Sequence, residues 1–343
     1  MSVKVAINGY GTVGKRVADA VGLQKDMKVV GVVKTRPTFE ASMAIKSNFP
    51  LFANTRENVK LFEERGMKVE GTVHDLLQNC DIVVDCTPNK VGADNKEKIY
   101  VPNKVKAIFQ GGEKHHVAGT SFSALANYAE SLGKDYVRVV SCNTTGLART
   151  LSSINNKIGI NNVRAVMIRR GPDPWDDRKG PVNAIVPDPP TIPSHHGPDV
   201  QTVMRDLDII TTAVKVPTTI MHMHAVNVNL PKDSSSGEIT EIFEKAPRIL
   251  LLSGDEGITS TAKVMEYAKD IGRRRSDLNE IAVWRESVNV VNGKELFYFQ
   301  AIHQESDIIP ENVDCIRAMM ELTKDPYESI RMTDQALGLK KWW

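Results

Sequence analysis

The residue best suited to chemistry in this sequence is Cys142, which lies in "YVRVVSCNTTGLARTL" at the joint between two predicted elements. The run from Tyr136 to Val140 predicts a buried strand, and the apolar residues from Leu147 onward recur at the spacing of one helical face. A thiol in the first turn of a helix lies near the positive end of the helix dipole, so we expect a nucleophilic thiolate. The alternative is an inert buried cysteine, which is common in proteins.

Four histidines are candidates for catalytic or binding roles beside that thiol. His222 and His224 are two residues apart in "TTIMHMHAVNVNL" and therefore share one face of a predicted strand. A histidine facing a thiol is a natural general base, and the alternative is a core histidine with satisfied hydrogen bonds. His195 and His196 end a long proline-rich loop, residues 171–199, whose length predicts a functional role. They could hold a phosphate; a metal site is the alternative, but we find no third ligand at suitable spacing and predict no metal.

Basic side chains on the predicted strands of the second half add a possible anion site. Arg169, Arg170 and Lys215 end or lie in these strands and could supply charge for an anionic substrate. The alternative is that they form surface salt bridges.

The elements that must position these groups begin with a nucleotide-binding sheet. "VKVAINGYGTVGKRVADAV" places Gly9, Gly11 and Gly14 in GxGxxG spacing between a strand and a helix. In this arrangement the first glycine permits a tight turn, the second admits a pyrophosphate and the third packs helix on strand. The motif predicts dinucleotide binding rather than a plain glycine turn.

The end of the second strand indicates which dinucleotide. NAD-specific proteins usually have an acidic residue there, whereas this chain has Lys34, Thr35 and Arg36. Cationic groups can hold a 2′-phosphate, so we expect NADP to be preferred and NAD to be accepted. The alternative is a solvated basic turn.

Two kinds of sheet predict two kinds of domain. "CDIVVDCTP", "KAIFQGG" and "YVRVVS" are nearly continuous apolar runs that suit a parallel sheet covered on both faces. The later strands alternate partially, and Asn292-Gly293 marks a hairpin. We therefore predict an α/β Rossmann doubly wound parallel sheet over residues 1–141. An α+β catalytic domain with a mixed or antiparallel sheet follows over residues 142–304, and a helical segment over residues 305–343 packs back on the first domain.

Composition excludes several classes of protein. The 343 residues carry a net charge of +2 without a long basic run, which argues against a dedicated nucleic-acid binder. No apolar stretch reaches the roughly 20 residues of a membrane span, and no signal-peptide pattern precedes the first strand. The four cysteines have no CxxC spacing, as expected for a reduced cytoplasmic enzyme.

Over nearly its full length the chain resembles glyceraldehyde-3-phosphate dehydrogenases of the archaeal type. The resemblance rests on "INGYGTVGKRVADAV", "SCNTTGLART", "PSHHGPD" and "AIHQES". Conventional members read Ser-Cys-Thr-Thr-Asn at the nucleophile, whereas Cys142 is followed here by Asn143, Thr144 and Thr145. The resemblance implies phosphorylating oxidation of D-glyceraldehyde 3-phosphate to 1,3-bisphosphoglycerate in glycolysis or gluconeogenesis, with NADP or NAD, inorganic phosphate as co-substrate and a homotetramer.

The resemblance also assigns roles to residues. Cys142 is the nucleophile, and His222 matches the general base, which in the archaeal type comes from a later strand; His224 is its near competitor. Together with the glycine motif and second strand, the implied cofactor contacts are Gly9, Gly11, Thr12, Val13, Gly14, Lys34, Thr35, Gly112, Arg170 and Gln304. The implied substrate contacts are Ser141, Asn143, His195, His196 and, as a weaker match, Lys215.

Three other functions are compatible with parts of this pattern. Aspartate-semialdehyde and N-acetylglutamyl-phosphate reductases use the same cofactor domain and cysteine–histidine chemistry on substrates that carry a carboxylate. A nucleotide-sensing or RNA-binding module is disfavoured by the charge and the lack of aromatic platforms. A hydroxy-acid dehydrogenase would not need the nucleophilic cysteine.

Overall fold

The computed structural model of the chain describes residues 2–172, 180 and 183–342. Part of the loop expected to be functional, residues 173–179 and 181–182, lies outside the described residues. The chain forms two compact units, Met1–Ser141 with Ile309–Gly338 and Cys142–Ile308 with Leu339–Trp343. The chain end joins the second unit because the Lys340 ammonium donates to the backbone oxygens of Glu244 and Ile249.

The first unit is built on a seven-stranded sheet whose described pairings are all parallel. Its strands are β1 (Val3–Asn8), β2 (Met27–Lys34), β3 (Leu51–Ala53), β4 (Ile82–Asp85), β5 (Lys106–Phe109), β6 (Ser121–Phe122) and β7 (Tyr136–Val139). They lie in the order β3-β2-β1-β4-β5-β7-β6, so the order reverses between β1 and β4. Doubly wound sheets bind nucleotides beyond the strand ends at such a reversal. The predicted Rossmann sheet is confirmed.

The second unit is built on a mixed sheet of eight described strands. They are β8 (Asn162–Arg170), β9 (Val186–Pro187), β10 (Ile209–Val216), β11 (His222–Asn229), β12 (Ile249–Leu252), β13 (Ile281–Trp284), β14 (Asn289–Val291) and β15 (Glu295–Ile302). Strand β11 lies antiparallel between β8 and β15, while β8 pairs with β10 in parallel. The predicted hairpin joins β14 to β15, with φ of 49° at Asn292 and 74° at Gly293. The predicted mixed sheet is confirmed.

Helices cover both sheets, and several begin with the caps that their sequences supply. Ser235, Ser260 and Asp325 each accept a hydrogen bond from a backbone N–H of the helix that follows. The α-helices are α1 (Thr12–Gly22), α2 (Phe39–Lys46), α3 (Arg56–Glu63), α4 (Val73–Leu77), α5 (Val91–Asn95), α6 (Val101–Asn103), α7 (His115–Ala118), α8 (Ala124–Asn127), α9 (Cys142–Asn155), α10 (His196–Gln201), α11 (Ser236–Lys245), α12 (Thr261–Asp270), α13 (Ile309–Met319) and α14 (Pro326–Leu337).

Helix α9 begins at Cys142 and packs one apolar face into the core of the second unit. Leu147, Leu151 and Ile154 of that face are fully buried, as their spacing predicts. Gly146 allows the helix to lie close to β15, because a β-carbon at this position would stand 2.7 Å from the Ile302 Cγ1. The core contacts of α9 therefore fix the position of its first residue.

Candidate active site

The glycine loop after β1 has the geometry that a dinucleotide requires. Gly9 has φ of +97°, and a β-carbon on Gly14 would stand 1.8 Å from the Gly9 carbonyl oxygen. These two positions therefore exclude side chains, whereas a β-carbon on Gly11 would meet no atom within 4 Å. The space at Gly11 lies at the start of α1, where a pyrophosphate would approach the N–H groups of Thr12 and Val13. The loop fits a nicotinamide dinucleotide.

The strand ends of the first sheet carry further residues predicted to bind the cofactor. Lys34 ends β2, and its ammonium lies 3.7 Å from the Glu40 carboxylate, a residue that the sequence analysis did not single out. Gly112 follows β5, where a β-carbon would touch the Asn89 side chain at 3.7 Å. Ser141 ends the first unit, and its backbone nitrogen would lie 2.3 Å from a β-carbon on Gly111. Gly111 therefore excludes a side chain, whereas a β-carbon at Gly112 would make only ordinary contacts.

Cys142 is half-buried at the first residue of α9. Burial raises the pKa of its thiol to about 12, and the Asp307 carboxylate adds to this effect. Arg169, Arg170 and the Asn143 backbone N–H act in the opposite direction without reversing the shift. This shift is opposite to the one expected for a thiolate, because the effect of burial outweighs that of the helix N-terminus.

His222 is buried at the start of β11, and its Nδ1 accepts a hydrogen bond from the Arg170 backbone N–H at 3.1 Å. Burial and the nearby Arg169 and Arg170 hold the pKa of His222 well below its ordinary value, so the ring is neutral. A neutral ring that accepts at Nδ1 carries its proton on Nε2. As found, His222 can donate to an oxygen, and it needs a tautomer change before it can accept a proton at Nε2.

His224 lies on the same buried face of β11, but its hydrogen-bond partners differ from that of His222. Its Nε2 lies 2.9 Å from the Asn143 Oδ1, and its Nδ1 lies 3.0 Å from the Gln300 Nε2. Within the described part of the chain, neither His222 nor His224 makes a hydrogen bond to the Cys142 sulfur. Both ring nitrogens of His224 are thus hydrogen-bonded, whereas His222 is held at Nδ1 and keeps Nε2 for a bond that would form with substrate present.

Arg170 and Gln304, both expected to contact the cofactor, lie together beside a carboxylate. The Arg170 guanidinium pairs with Glu305 at 2.7 Å. The Gln304 amide, oriented with its oxygen toward the guanidinium, accepts from the Arg170 Nη2 at 2.7 Å. Glu305 also lies 3.0 Å from the His303 Nε2. Two residues of the "AIHQES" segment, Gln304 and Glu305, thus bind the Arg170 guanidinium.

The two adjacent histidines of the loop have different surroundings. His195 is exposed, whereas His196 is buried at the start of α10 and stacks on His195 with ring centres 4.0 Å apart. The His196 Nδ1 lies 3.1 Å from the Ser194 Oγ, and its Nε2 lies 3.4 Å from the Asn143 Nδ2. His195 is therefore the one that presents its side chain to solvent.

The basic residues near these histidines share one acidic partner. Asp188 accepts from the Arg169 guanidinium, and it lies 3.1 Å from the Lys215 ammonium. Burial opposes ionisation of Asp188, but Lys215 and Arg169 outweigh it and lower its pKa. The cluster carries one more positive than negative charge, which suits an anion.

Several residues of this site were not singled out from the sequence. Asp188 lies in the loop whose length predicts a functional role, but neither Asp188 itself nor Gln300 and Asp307 was singled out, and Glu305 was quoted only as part of a motif. Alternation along β15 could have indicated that Gln300 faces inward, since it is a polar residue at a buried position of a strand.

Two kinds of feature are absent from the described residues. No cluster of three or more histidine, cysteine, aspartate or glutamate side chains is placed there to hold a metal ion. None of the helices in this part of the chain has the length and apolar character needed to cross a membrane.

Comparison with known proteins agrees with this arrangement. Residues 141–287 match the family described as the glyceraldehyde 3-phosphate dehydrogenase C-terminal domain, and residues 3–120 match the dihydrodipicolinate reductase N-terminus. The chain is 60% identical to a glyceraldehyde-3-phosphate dehydrogenase of Methanobacterium bryantii, over 98% of this chain and 99% of that protein. It is 58% identical to the enzyme of Methanothermus fervidus, over 98% of both chains. It is 56% identical to the enzyme of Archaeoglobus fulgidus, over 99% of both chains. The chain therefore belongs to the glyceraldehyde-3-phosphate dehydrogenase family.

Proposed function

We propose that this protein catalyses the phosphorylating oxidation of D-glyceraldehyde 3-phosphate to 1,3-bisphosphoglycerate through a thioester on Cys142. The observation that carries the proposal is the position of Cys142. It is the first residue of α9, with Arg169 and Arg170 acting on its sulfur and an anion-suited cluster in the same unit. Relatives named glyceraldehyde-3-phosphate dehydrogenase, similar over almost the whole chain, support the same reaction.

The chemistry follows from the reactivity of sulfur. The Cys142 thiolate adds to the aldehyde carbon and gives a hemithioacetal. When bound, oxidised nicotinamide would accept the hydride of this adduct, and the adduct would become a thioester as His222 takes the hydroxyl proton. Inorganic phosphate then attacks the thioester carbon, the acyl phosphate leaves, and the thiolate is restored. A serine ester would not conserve the oxidation energy in this way, because it is a much poorer acyl donor.

His222 is the proposed proton-exchange partner of the substrate oxygen. Its Nε2–H can hold the oxygen of the adduct as negative charge develops there. Acting as the general base requires the ring proton to move to Nδ1 and the bond from the Arg170 N–H to break. We propose that this change accompanies substrate binding. Ser141 and the Asn143 backbone would lie beside the reacting carbon.

The proposed cofactor is NADP, with NAD accepted. Gly9, Gly11 and Gly14, with Thr12 and Val13, would hold the pyrophosphate at the start of α1. Lys34 and Thr35, at the end of β2, would receive the 2′-phosphate, while Gly112, Arg170 and Gln304 would contact the nicotinamide half. Lys34 supports the preference because no carboxylate ends β2, although the nearby Glu40 offsets part of its charge.

The proposed site for the substrate phosphates uses His195 and Lys215, with His196 placed behind them. His195 is exposed and Lys215 is partly exposed, so both can reach an anion. The ion pair between Asp188 and Lys215 must weaken when the anion binds. A terminal phosphate suits this cluster of cations and imidazoles, since it accepts several charged hydrogen bonds at once.

We further propose a cytoplasmic homotetramer that binds neither nucleic acid nor membrane. One face of the second sheet supports self-association, because four large apolar side chains on it are between 39% and 43% exposed: Val166, Ile210, Phe297 and Phe299. Light scattering after size exclusion should give the mass of four chains. A monomer would contradict this part of the proposal.

The experiment that tests the reaction is to trap the acyl enzyme. The protein is mixed with NADP+ and D-glyceraldehyde 3-phosphate without inorganic phosphate, and the Cys142 peptide is examined by mass spectrometry. We expect a 3-phosphoglyceroyl group that disappears when phosphate is added, and no such group in Cys142→Ala. NADPH formation by Cys142→Ala at the wild-type rate would refute the thioester. Aspartate semialdehyde serves as the control substrate.

A further inference from the structure

A row of buried polar side chains crosses the second unit beside Cys142. It connects α9, β15, β11, the loop before α10, α10 itself and β10. From one end to the other its members are Tyr298, Thr150, Gln300, His224, Asn143, His196, Ser194 and Thr211, each less than 4% exposed. Consecutive members are 2.8–3.4 Å apart. Such a row is costly to bury unless its hydrogen bonds are satisfied.

The side-chain amides of Gln300 and Asn143 fix the direction in which hydrogen bonds are donated along the row. The Gln300 Nε2 can only donate, so the His224 Nδ1 must accept and its proton must lie on Nε2. That Nε2–H donates to the Asn143 Oδ1, which can only accept. The Asn143 Nδ2 in turn donates to the His196 Nε2, so the His196 proton lies on Nδ1 and is donated to Ser194. Each imidazole therefore has one assigned tautomer.

This assignment requires both imidazoles to be neutral, and their surroundings make them so. Burial lowers the pKa of His224 to about 3, with His196 and Arg169 adding to the effect. Burial, His195 and Arg169 likewise lower the pKa of His196 to about 3. A second proton on either ring would also face an amide N–H, a donor against a donor.

The row connects to the nucleophile through Asn143. The side chain of Asn143 is held between His224 and His196, while its backbone N–H acts on the Cys142 sulfur. The next residue, Thr144, donates to Asp199 on α10. The first turn of α9 is thus attached to α10 at two successive residues.

We propose that His224 is a positioning residue: through Asn143 it fixes which nitrogen of His196 carries the proton, and it ties the first turn of α9 to α10. The inference rests on the proposed function only in assigning Cys142 as the nucleophile. His224 does not itself exchange protons with the substrate. A proton cannot pass along this row, because an amide would have to become an imidic acid to relay it.

The test compares two conservative variants of His224. In His224→Gln the amide nitrogen is as many bonds from Cα as Nε2 and can still donate to the Asn143 Oδ1. In His224→Asn the amide nitrogen is one bond shorter and matches Nδ1, so the donor is lost. We expect His224→Gln to retain kcat within about fivefold. His224→Asn should lose about 10- to 100-fold, as misplacement of reacting groups does.

The second readout is the tautomer of His196. Solid-state ¹⁵N NMR of histidine-labelled protein distinguishes a protonated Nδ1 from a protonated Nε2, and His196→Asn identifies the signal. We expect Nδ1–H in wild type and in His224→Gln. In His224→Asn the Asn143 amide is free to turn its oxygen toward His196, so the signal should change to Nε2–H.

Three outcomes would overturn the proposal. Loss of at least about 100-fold in both variants with an unchanged His196 signal would mean that His224 is itself an acid or base. Full activity of His224→Asn would mean that the row has no role, and an Nε2–H signal for His196 in wild type would contradict its direction. If His224→Asn does not fold, the test depends on His224→Gln. Retention of kcat by that variant would support the proposal, and loss of kcat would overturn it. Failure to trap acyl enzyme in wild type would refute the proposed function but would leave the NMR result standing.

Discussion

The reactivity of Cys142 should depend strongly on bound cofactor. In the cofactor-free protein its pKa is about 12, against about 8.5 for an exposed cysteine. The thiolate fraction at pH 7 is therefore lower by about three orders of magnitude. A thiolate of higher pKa is intrinsically more nucleophilic, which recovers about half of that deficit on a logarithmic scale. Alkylation of Cys142 by iodoacetamide should thus be about 30- to 100-fold slower than that of an exposed cysteine.

The assay is the rate of carboxamidomethylation of the Cys142 peptide, followed by mass spectrometry from about pH 7 to pH 10. Without cofactor, the rate should rise about tenfold per pH unit with no plateau. The nicotinamide ring of NADP+ carries a positive charge, so its binding beside the sulfur should accelerate the reaction at Cys142. Cys80 is the internal control: burial also raises its pKa to about 12, and it has no proposed role with the cofactor.

A plateau below about pH 8 in the cofactor-free protein would refute this reasoning, since it would mean that the helix N-terminus and the two arginines outweigh burial. Equal acceleration of Cys142 and Cys80 by NADP+ would also count against it, because a general loosening of the protein would then explain the change.

The remaining predictions concern the cofactor loop and the charged residues. Gly14→Ala should destabilise the protein by about 1–3 kcal/mol or more, since its β-carbon would collide with a backbone oxygen at 1.8 Å, whereas Gly11→Ala should keep its Tm and weaken NADP binding. Equal losses of Tm in thermal denaturation would contradict this. Glu40→Gln should raise the ratio of kcat/KM for NADP over NAD by up to about fivefold by freeing Lys34, and an unchanged ratio would argue that the two charges do not act on the cofactor. Asp188→Asn should lower the KM for the aldehyde phosphate by about two- to fivefold, and a raised KM would mean that this carboxylate organises the site.

Local patterns were enough to predict both sheets and the joint at Cys142. The GxGxxG spacing, the apolar strands and the helical repeat after Leu147 each report on neighbours along the chain, and the structure has those elements where the patterns indicate. The Asn292-Gly293 pair likewise reports on a single turn.

The environment of the site could not be predicted in the same way. The thiolate expectation for Cys142 considered the helix dipole, but the Asp307 carboxylate and the burial that outweigh it come from residues far away in sequence. The partnership of Lys215 with Asp188, and of Arg170 with Glu305, likewise joins segments that no periodicity connects. For His222 and His224 the sequence places both rings on one face of a strand. Only the partners of each ring nitrogen separate their roles.

Because Gly146 has no β-carbon, α9 and β15 can pack closely, and this packing leaves no room for a larger residue at position 146. A methyl group there would push between α9 and β15, against the Ile302 side chain at 2.7 Å and the Gln300 amide at 3.4 Å. The buried Ile302 side chain would have to move first, because the Gln300 amide beside it stands at the edge of ordinary contact distance. The glycine four residues after Cys142 thus marks the close approach of α9 to β15, and with it the position of the first turn of α9.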